Sequence, residues 1–521
     1  MTARTLTLGR ASYPLVLPSV RDPRLHVAAV IITVHVLGQV GLHFRVSVPQ
    51  VLAAILTCAI LEVALTFRQS RAFVWPASAM LTGSGVALIL RDVGTPPNAP
   101  WATNDLILFS VVAGLSLLSK YVIKYRGTHV FNPSNIGLVV AFVLLGSARV
   151  EPLDFWWAPL NVWMIAAYAV IVVGGVLITR RLRLLALAGS FWIALAAGTG
   201  LLAASGHCMT ANWSFAPVCG LDFWRVIVTS PEVLIFLFFM ITDPKTVPSG
   251  AVGRVVFGML VAAGSVLLMA PQTDEFGTKV GLLAGLVAIC AARPLLDRLV
   301  PAPQSAADDL RTYLAGPGVR RGTRGASAAV AVVLVAVGIL AAGIPARGIV
   351  LADPVETLNR PAPVVDPATL PAITVSQEVV DFDHELAGSG MNEVALTLAQ
   401  NLELENQALL RRDRSLLPAV DHGDRLVEMQ ARLDQAESGT TVIAHYRFDA
   451  LDVSLLVPFG AQTGLSLGLR GTGTLIEERY DAAGTLQSRE SAPFELTFAM
   501  RRATGARWLI VAVLPPGEAP D

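Results

Sequence analysis

Long apolar runs occupy most of residues 25–346 and constrain the fold more than any other feature. A hydrocarbon core about 30 Å thick is spanned by roughly 17–25 apolar residues in helical form. Runs of that kind fall at 25–44, 50–67, 73–90, 104–122, 131–147, 160–178, 184–204, 223–241, 254–270, 278–297 and 326–346. The expected fold is therefore a polytopic α-helical membrane protein: ten helices plus one extra, followed by a soluble α+β domain. Only 15% of the 521 residues are charged, against about 25% in soluble domains. The 39 basic residues balance the 39 acidic ones, so the lipid bilayer is an expected partner and nucleic acid is not.

Charge placement sets the expected orientation. The first run follows 24 residues that hold Arg4, Arg10, Arg21 and Arg24 and contain no short apolar segment ending in a cleavage site, so it reads as an uncleaved signal anchor. With the N-terminus in the cytoplasm, the inner segments collect Arg68 and Arg71, Lys124 and Arg126, Arg180, Arg181 and Arg183, then Lys245, Arg254 and the arginines at 298–324. The outer segments hold mostly single charges. Residues 301–325 then form a cytoplasmic linker, 326–346 an eleventh helix, and everything beyond lies outside the cytoplasm. The 35 arginines against four lysines resemble a high-GC bacterial coding bias, which places the chain in a bacterial inner membrane.

Five prolines between 352 and 378 read as an extended linker, so the soluble domain is expected from 379 to 521. Apolar positions Val394, Leu398, Leu402 and Leu409 predict a helix over 391–412, and a second follows Pro418 and Gly423 at 424–436. The pattern then changes to alternation at 441–448, with extended segments at 466–480, 487–502 and 507–514. Helices followed by an antiparallel meander resemble an NTF2-like cone, an architecture that decides no function.

The membrane part carries a repeat. Arg91 to Pro97 and Thr242 to Pro248 are polar, proline-containing turns, and Gly127-Thr128 and Gly277-Thr278 precede later runs, each pair five spans apart. An odd offset puts equivalent features on opposite sides, as in two inverted five-helix repeats with a site between them.

Four segments carry a family resemblance. Lys124-Tyr-Arg-Gly-Thr-His-Val-Phe-Asn132-Pro133-Ser-Asn135-Ile-Gly137 resembles the G…FNPA…G segment of the Rnf-D membrane protein of the Rnf electron-transport complex, and of its counterpart in the sodium-pumping NADH:quinone reductase. Phe239-Met-Ile-Thr-Asp243-Pro244-Lys-Thr246 is similar to their FMATDPVT segment, Gly253-Arg254-Val-Val-Phe-Gly258 to the following GR(L/W)IYG, and Arg293-Pro-Leu-Leu-Asp297 to the closing PLID. The resemblance covers roughly 25–300 and implies a membrane component of an electron-transport or redox-linked system with partner subunits. Family members carry FMN on a threonine of an outer loop. Here that loop, 147–159, has no threonine, and Ser249-Gly-Ala-Val252 has valine in the acceptor's place. Covalent FMN is not expected, and any flavin is held non-covalently. Loss of that threonine most resembles the membrane proteins associated with enediyne biosynthesis.

Candidate residues each have a bland reading beside the functional one. Asn132-Pro133 and Asp243-Pro244, with Asn135 and Thr246 in the same segments, form the candidate pocket for a polar ligand or ion; Asn and Asp before proline also simply cap and end helices. Glu62 lies inside the second run, where a charge costs about 2.5–3.5 kcal/mol, so it either handles a cation or pairs with Lys120. Cys58 and Cys290 are too few for an iron–sulfur centre and read as packing residues. Cys208 and Cys219 in one exported loop read as a disulfide. The sequence contains no P-loop, nucleophile elbow or HExxH, and no metal site is expected. An inverted-repeat transporter or channel, and a membrane scaffold whose outer domain recruits a partner, are the alternative functions.

Overall fold

The computed structural model describes the chain except residues 1–2, 9–10, 43, 96–98, 148, 153–161, 212–216, 316–320, 348–364, 367–369, 457–465, 503–506 and 517–521. Most of the proline-rich stretch and of the loop where a flavin threonine would sit thus lie outside the described residues. The chain divides into two compact units, residues 1–207 with 219–347, and residues 208–218 with 348–521.

The first unit is helical. Its main helices are α1 (Pro23–Val40), α2 (Val48–Ser70), α3 (Ala77–Ile89), α4 (Leu106–Val122), α5 (Pro133–Leu145), α6 (Val162–Arg181) and α7 (Leu185–Ala204). Then come α8 (Gly220–Thr229), α9 (Pro231–Ile235), α10 (Ala251–Met269) and α11 (Glu275–Ala291). Among the described residues six helices are long and apolar enough to cross a membrane, taking Gly220–Met240 as one, or seven if Glu275–Ala291 and Arg293–Leu299 form one bent span. The runs at 73–90, 104–122 and 131–147 supply shorter apolar helices, and the run at 326–346 falls in helix Arg321–Ala342. The reason is local. Pro76 and Asn132-Pro133 delay the starts of α3 and α5, and Leu90–Asp92 leaves the helix to pair with Val150–Pro152. Thirteen residues give only about 20 Å of helix, short of the hydrocarbon core. Outward-facing Ile107, Val122 and Leu144 are 76%, 79% and 77% exposed, an apolar surface suited to lipid. This is a multi-pass membrane region.

Packing repeats along the unit. In the first five helices α2 lies against α3 and α4, α4 against α5, and α1 against α3. In the next set α7 lies against α8 and α10, α10 against α11, and α6 against α9. Close approach depends on glycine: a Cβ on Gly83 would stand 2.5 Å from the Ala54 carbonyl oxygen. The first residues, expected to be a plain cytoplasmic segment, form a hairpin of Ala3–Leu8 and Ala11–Val16 that adds Phe73–Val74 in parallel.

The second unit is a five-stranded mixed sheet with helices. Strands Thr441–Leu456, Ser466–Tyr480, Leu486–Arg502 and Trp508–Leu514 run antiparallel in sequence order. The residues read as linker contain a fifth strand, Ala372–Val375, which pairs in parallel with Ala450–Val453 and so belongs to the sheet. Met391, Val394, Leu398 and Leu402 of helix Ser389–Arg411 pack on Leu469, Phe498 and Ile510. Asn406 acts as a strand neighbour, donating to the Ala444 carbonyl and accepting from its N–H at 2.8 and 3.1 Å. Residues 208–218 group with this unit and not with the helices that flank them, and the Ala211 carbonyl accepts from Arg501 at 2.7 Å. Cys208 and Cys219, at the ends of that excursion, are disulfide-bonded.

Candidate functional site

Proline and helix caps build the site in the first unit. Asn132 is the N-cap of α5, and its Oδ1 accepts from the Asn135 N–H and the Ser134 hydroxyl at 3.3 and 2.8 Å. Its amide nitrogen is left free to reach outward, and donates at 3.1 Å to the Met240 carbonyl. Met240 ends a π-helical turn, Phe236–Met240, whose wider winding runs into Thr242-Asp243-Pro244. His129 Nε2 lies 3.0 Å from Asp243 Oδ2, so the two segments meet through a ring–carboxylate contact and an amide–carbonyl bond.

The other two segments of the resemblance bond to the turn that follows Asp243-Pro244. Arg293 donates to the carbonyls of Thr246 and Lys245, the latter at 3.2 Å, and pairs with Asp297. Arg126 approaches Asp297 at 3.7 Å. Arg254 donates to the Pro248 and Arg183 carbonyls at 3.1 and 3.0 Å. Stretches far apart in sequence are thus tied by guanidiniums to backbone carbonyls of the turns that follow helix ends.

Asn132, His129 and Asp243 line a cavity of about 550 Å³, which falls within the ordinary range for small-molecule sites. Asp22, Arg24, Ser78 and Thr82 complete its polar wall, and Leu88, Ile235 and Phe238 its apolar one. Asp22 caps α1, and its carboxylate is held below the usual range chiefly by the Arg24 guanidinium, which it meets at 2.6 Å. A second chamber of about 40 Å³ shares Leu88, Ile89, Ile235 and Met240 with the first and reaches Glu232 and Lys279. Lys279 pairs with Glu275 and Glu232 at 2.6 and 3.3 Å.

Of the sequence candidates, Asn132, Pro133, Asp243 and Pro244 line the cavity. Asn135 and Thr246 are buried beside it: Asn135 donates to the Leu283 carbonyl at 3.0 Å, and Thr246 to that of Asp243 at 3.1 Å. Glu62 and Lys120 are paired at 2.9 Å, with Tyr121 also donating to Glu62, and neither lines the cavity. Cys58 and Cys290 are buried, free thiols. Sequence reasoning missed His129, Arg293 and the α1 cap. The first two lie inside segments already singled out, and Asp22-Pro-Arg24 carries a helix-start signal. Nothing in the sequence pointed to Ser78. Among the described residues no group of three or more His, Cys, Asp or Glu side chains is arranged to hold a metal ion. No family model matches the chain, and no curated protein matches it.

Proposed function

We propose that the chain is a membrane component of a redox-linked or electron-transport system, Rnf-D-like, with a non-covalently held small ligand at the cytoplasmic end of its helices. The observation that carries this reading is that two of the four resemblance segments line one cavity of about 550 Å³, while Arg254 and Arg293 of the other two bond to the turn that follows Asp243-Pro244. The recurrence of helix packing at an offset of five supports two related halves, α1–α5 and α6–α11, with the ligand between them. Eleven crossings follow if the short apolar helices complete their spans together with adjoining segments. Loss of the loop threonine removes the covalent flavin anchor but not room for a loosely held one.

The test is spectroscopic. The full chain, purified from membranes in mild detergent, should show visible flavin absorption that leaves with the small-molecule fraction on denaturation. Its band on a denaturing gel should be dark under ultraviolet light, and its intact mass should equal that of the bare chain. A colourless protein removes the flavin reading, and a mass excess of one FMN phosphoester returns the chain to the covalent branch.

A transporter is the second reading, favoured by the smaller chamber that shares Leu88, Ile89, Ile235 and Met240 with the cavity and is also lined by Glu232 and Lys279. Under it a colourless protein would move a small polar solute or ion across reconstituted vesicles.

A further inference from the structure

Five non-glycine residues of the described chain have a left-handed backbone, and four of them are arginines: Arg71, Arg126, Arg183 and Arg412, at φ of 50°, 49°, 58° and 53°. A Cβ strains this conformation, which glycine occupies freely and arginine does not. Arg71 ends α2, its N–H bonding the Phe67 carbonyl at 2.9 Å. Arg183 follows α6, where the Leu184 N–H reaches back to the Thr179 carbonyl at 2.8 Å, a helix-ending turn that normally uses glycine. Arg126 begins the Arg126-Gly127 hairpin turn. Each of these three side chains is exposed.

The three turns share one end of the first unit, the end whose helix termini line the cavity. Arg126 leads to His129, and Arg183 receives Arg254 and follows the cavity-lining Leu182. Arg71 precedes Ser78 at the start of α3. Arg71 and Arg183 have no ion-pair partner among the described residues, and Arg126 has only the 3.7 Å approach to Asp297. Elsewhere in the unit Arg91, Arg149 and Lys279 are each paired with a carboxylate. Exposed Arg68, Arg180 and Arg181 add to the same surface. Exposed cations held in strained turns, with no carboxylate closer than the 3.7 Å of Arg126 to Asp297, have an obvious complement in the phosphate-bearing headgroups of a membrane surface.

We propose that Arg71, Arg126 and Arg183 form a binding surface for the headgroups of anionic phospholipids. The alternative role, in which each cation serves only the helix end or turn on which it sits, makes the opposite prediction for substitution by glycine. The triple variant Arg71→Gly, Arg126→Gly, Arg183→Gly relieves the backbone strain. Its thermal midpoint in neutral detergent should match or exceed that of the parent. Adding phosphatidylglycerol should raise the parent's midpoint well above the rise given by phosphatidylcholine, and this difference should fall several-fold in the triple variant. Arg412→Gly, the same backbone change in the second unit, should keep the full difference. The proposal is overturned if the triple variant is destabilised in neutral detergent, if it keeps the parent's response to phosphatidylglycerol, or if sodium phosphate at matched ionic strength reproduces that response.

Discussion

Asn132 shows how one side chain does several things at once. Its carbonyl oxygen starts α5 while its amide nitrogen satisfies the last carbonyl of a π-helical turn more than a hundred residues away. Asn132→Ala should cost about 1–2 kcal/mol for the cap alone, and it also leaves the buried Met240 carbonyl without its donor. Thermal unfolding in detergent should show a clear drop, and an unchanged midpoint would mean the contact carries no weight. In the second unit Asp421 is buried, 1% exposed, with carboxyl oxygens that meet no donor. Burial first, and then the neighbouring Glu405 carboxylate, hold it well above its ordinary 3.8, while Arg425 pulls the other way. A proton on Asp421 turns the repulsion into a hydrogen bond to Glu405, itself bound by Arg425 at 2.6 and 2.8 Å. Because the folded value is raised, the stability it contributes is complete below the unfolded value and is lost as pH climbs to the folded one. The slope approaches about 1.4 kcal/mol per pH unit. Asp421→Asn should therefore match the parent near pH ~4 and gain on it as pH rises, read by amide exchange of strand Trp508–Leu514 in the full chain. A gap that stays constant with pH would count against this account.

Helices in the first unit approach through glycine. Gly258, which ends the Gly253-Arg254 segment, would place a Cβ 2.7 Å from the Leu187 carbonyl oxygen and 2.5 Å from the Ser190 hydroxyl. Gly137, which ends the Asn132-Pro133 segment, faces Ser116 in the same manner. Gly137 and Gly258 are thus packing residues, one step removed from the cavity. Gly258→Val should separate α10 from α7 and cost about 1–3 kcal/mol, lowering the thermal midpoint without changing the electrostatics of the cavity wall. A midpoint equal to the parent's would show that α7 has room to yield.

For the whole molecule the sharpest expectation is topological. Eleven crossings with the N-terminus inside would put residues 352–521 outside the cytoplasm, in an oxidising compartment where a Cys208–Cys219 disulfide persists. A reporter fused after residue 521 should be active only when exported, and thiol labelling of intact, unreduced cells should miss both cysteines. A reporter active in the cytoplasm, or two labelled thiols, would reverse the orientation. Where the chain is apolar, where proline stops a helix and where alternation replaces helical spacing were all legible before any coordinates. These are local properties, so helix Ser389–Arg411 and the last three long strands lie within a few residues of where periodicity put them, while the first, expected at 441–448, runs on to Leu456. Long-range pairing was not legible. The parallel strand Ala372–Val375 has no turn signal tying it to Ala450–Val453, because its place depends on an edge offered by another strand. Likewise Ser78, Arg24 and Asp243 share a cavity only because packed helices bring their ends together. Spacing along a chain records which residues can cap, turn or bury, whereas the partner that meets a freed carbonyl or an open edge is chosen by packing.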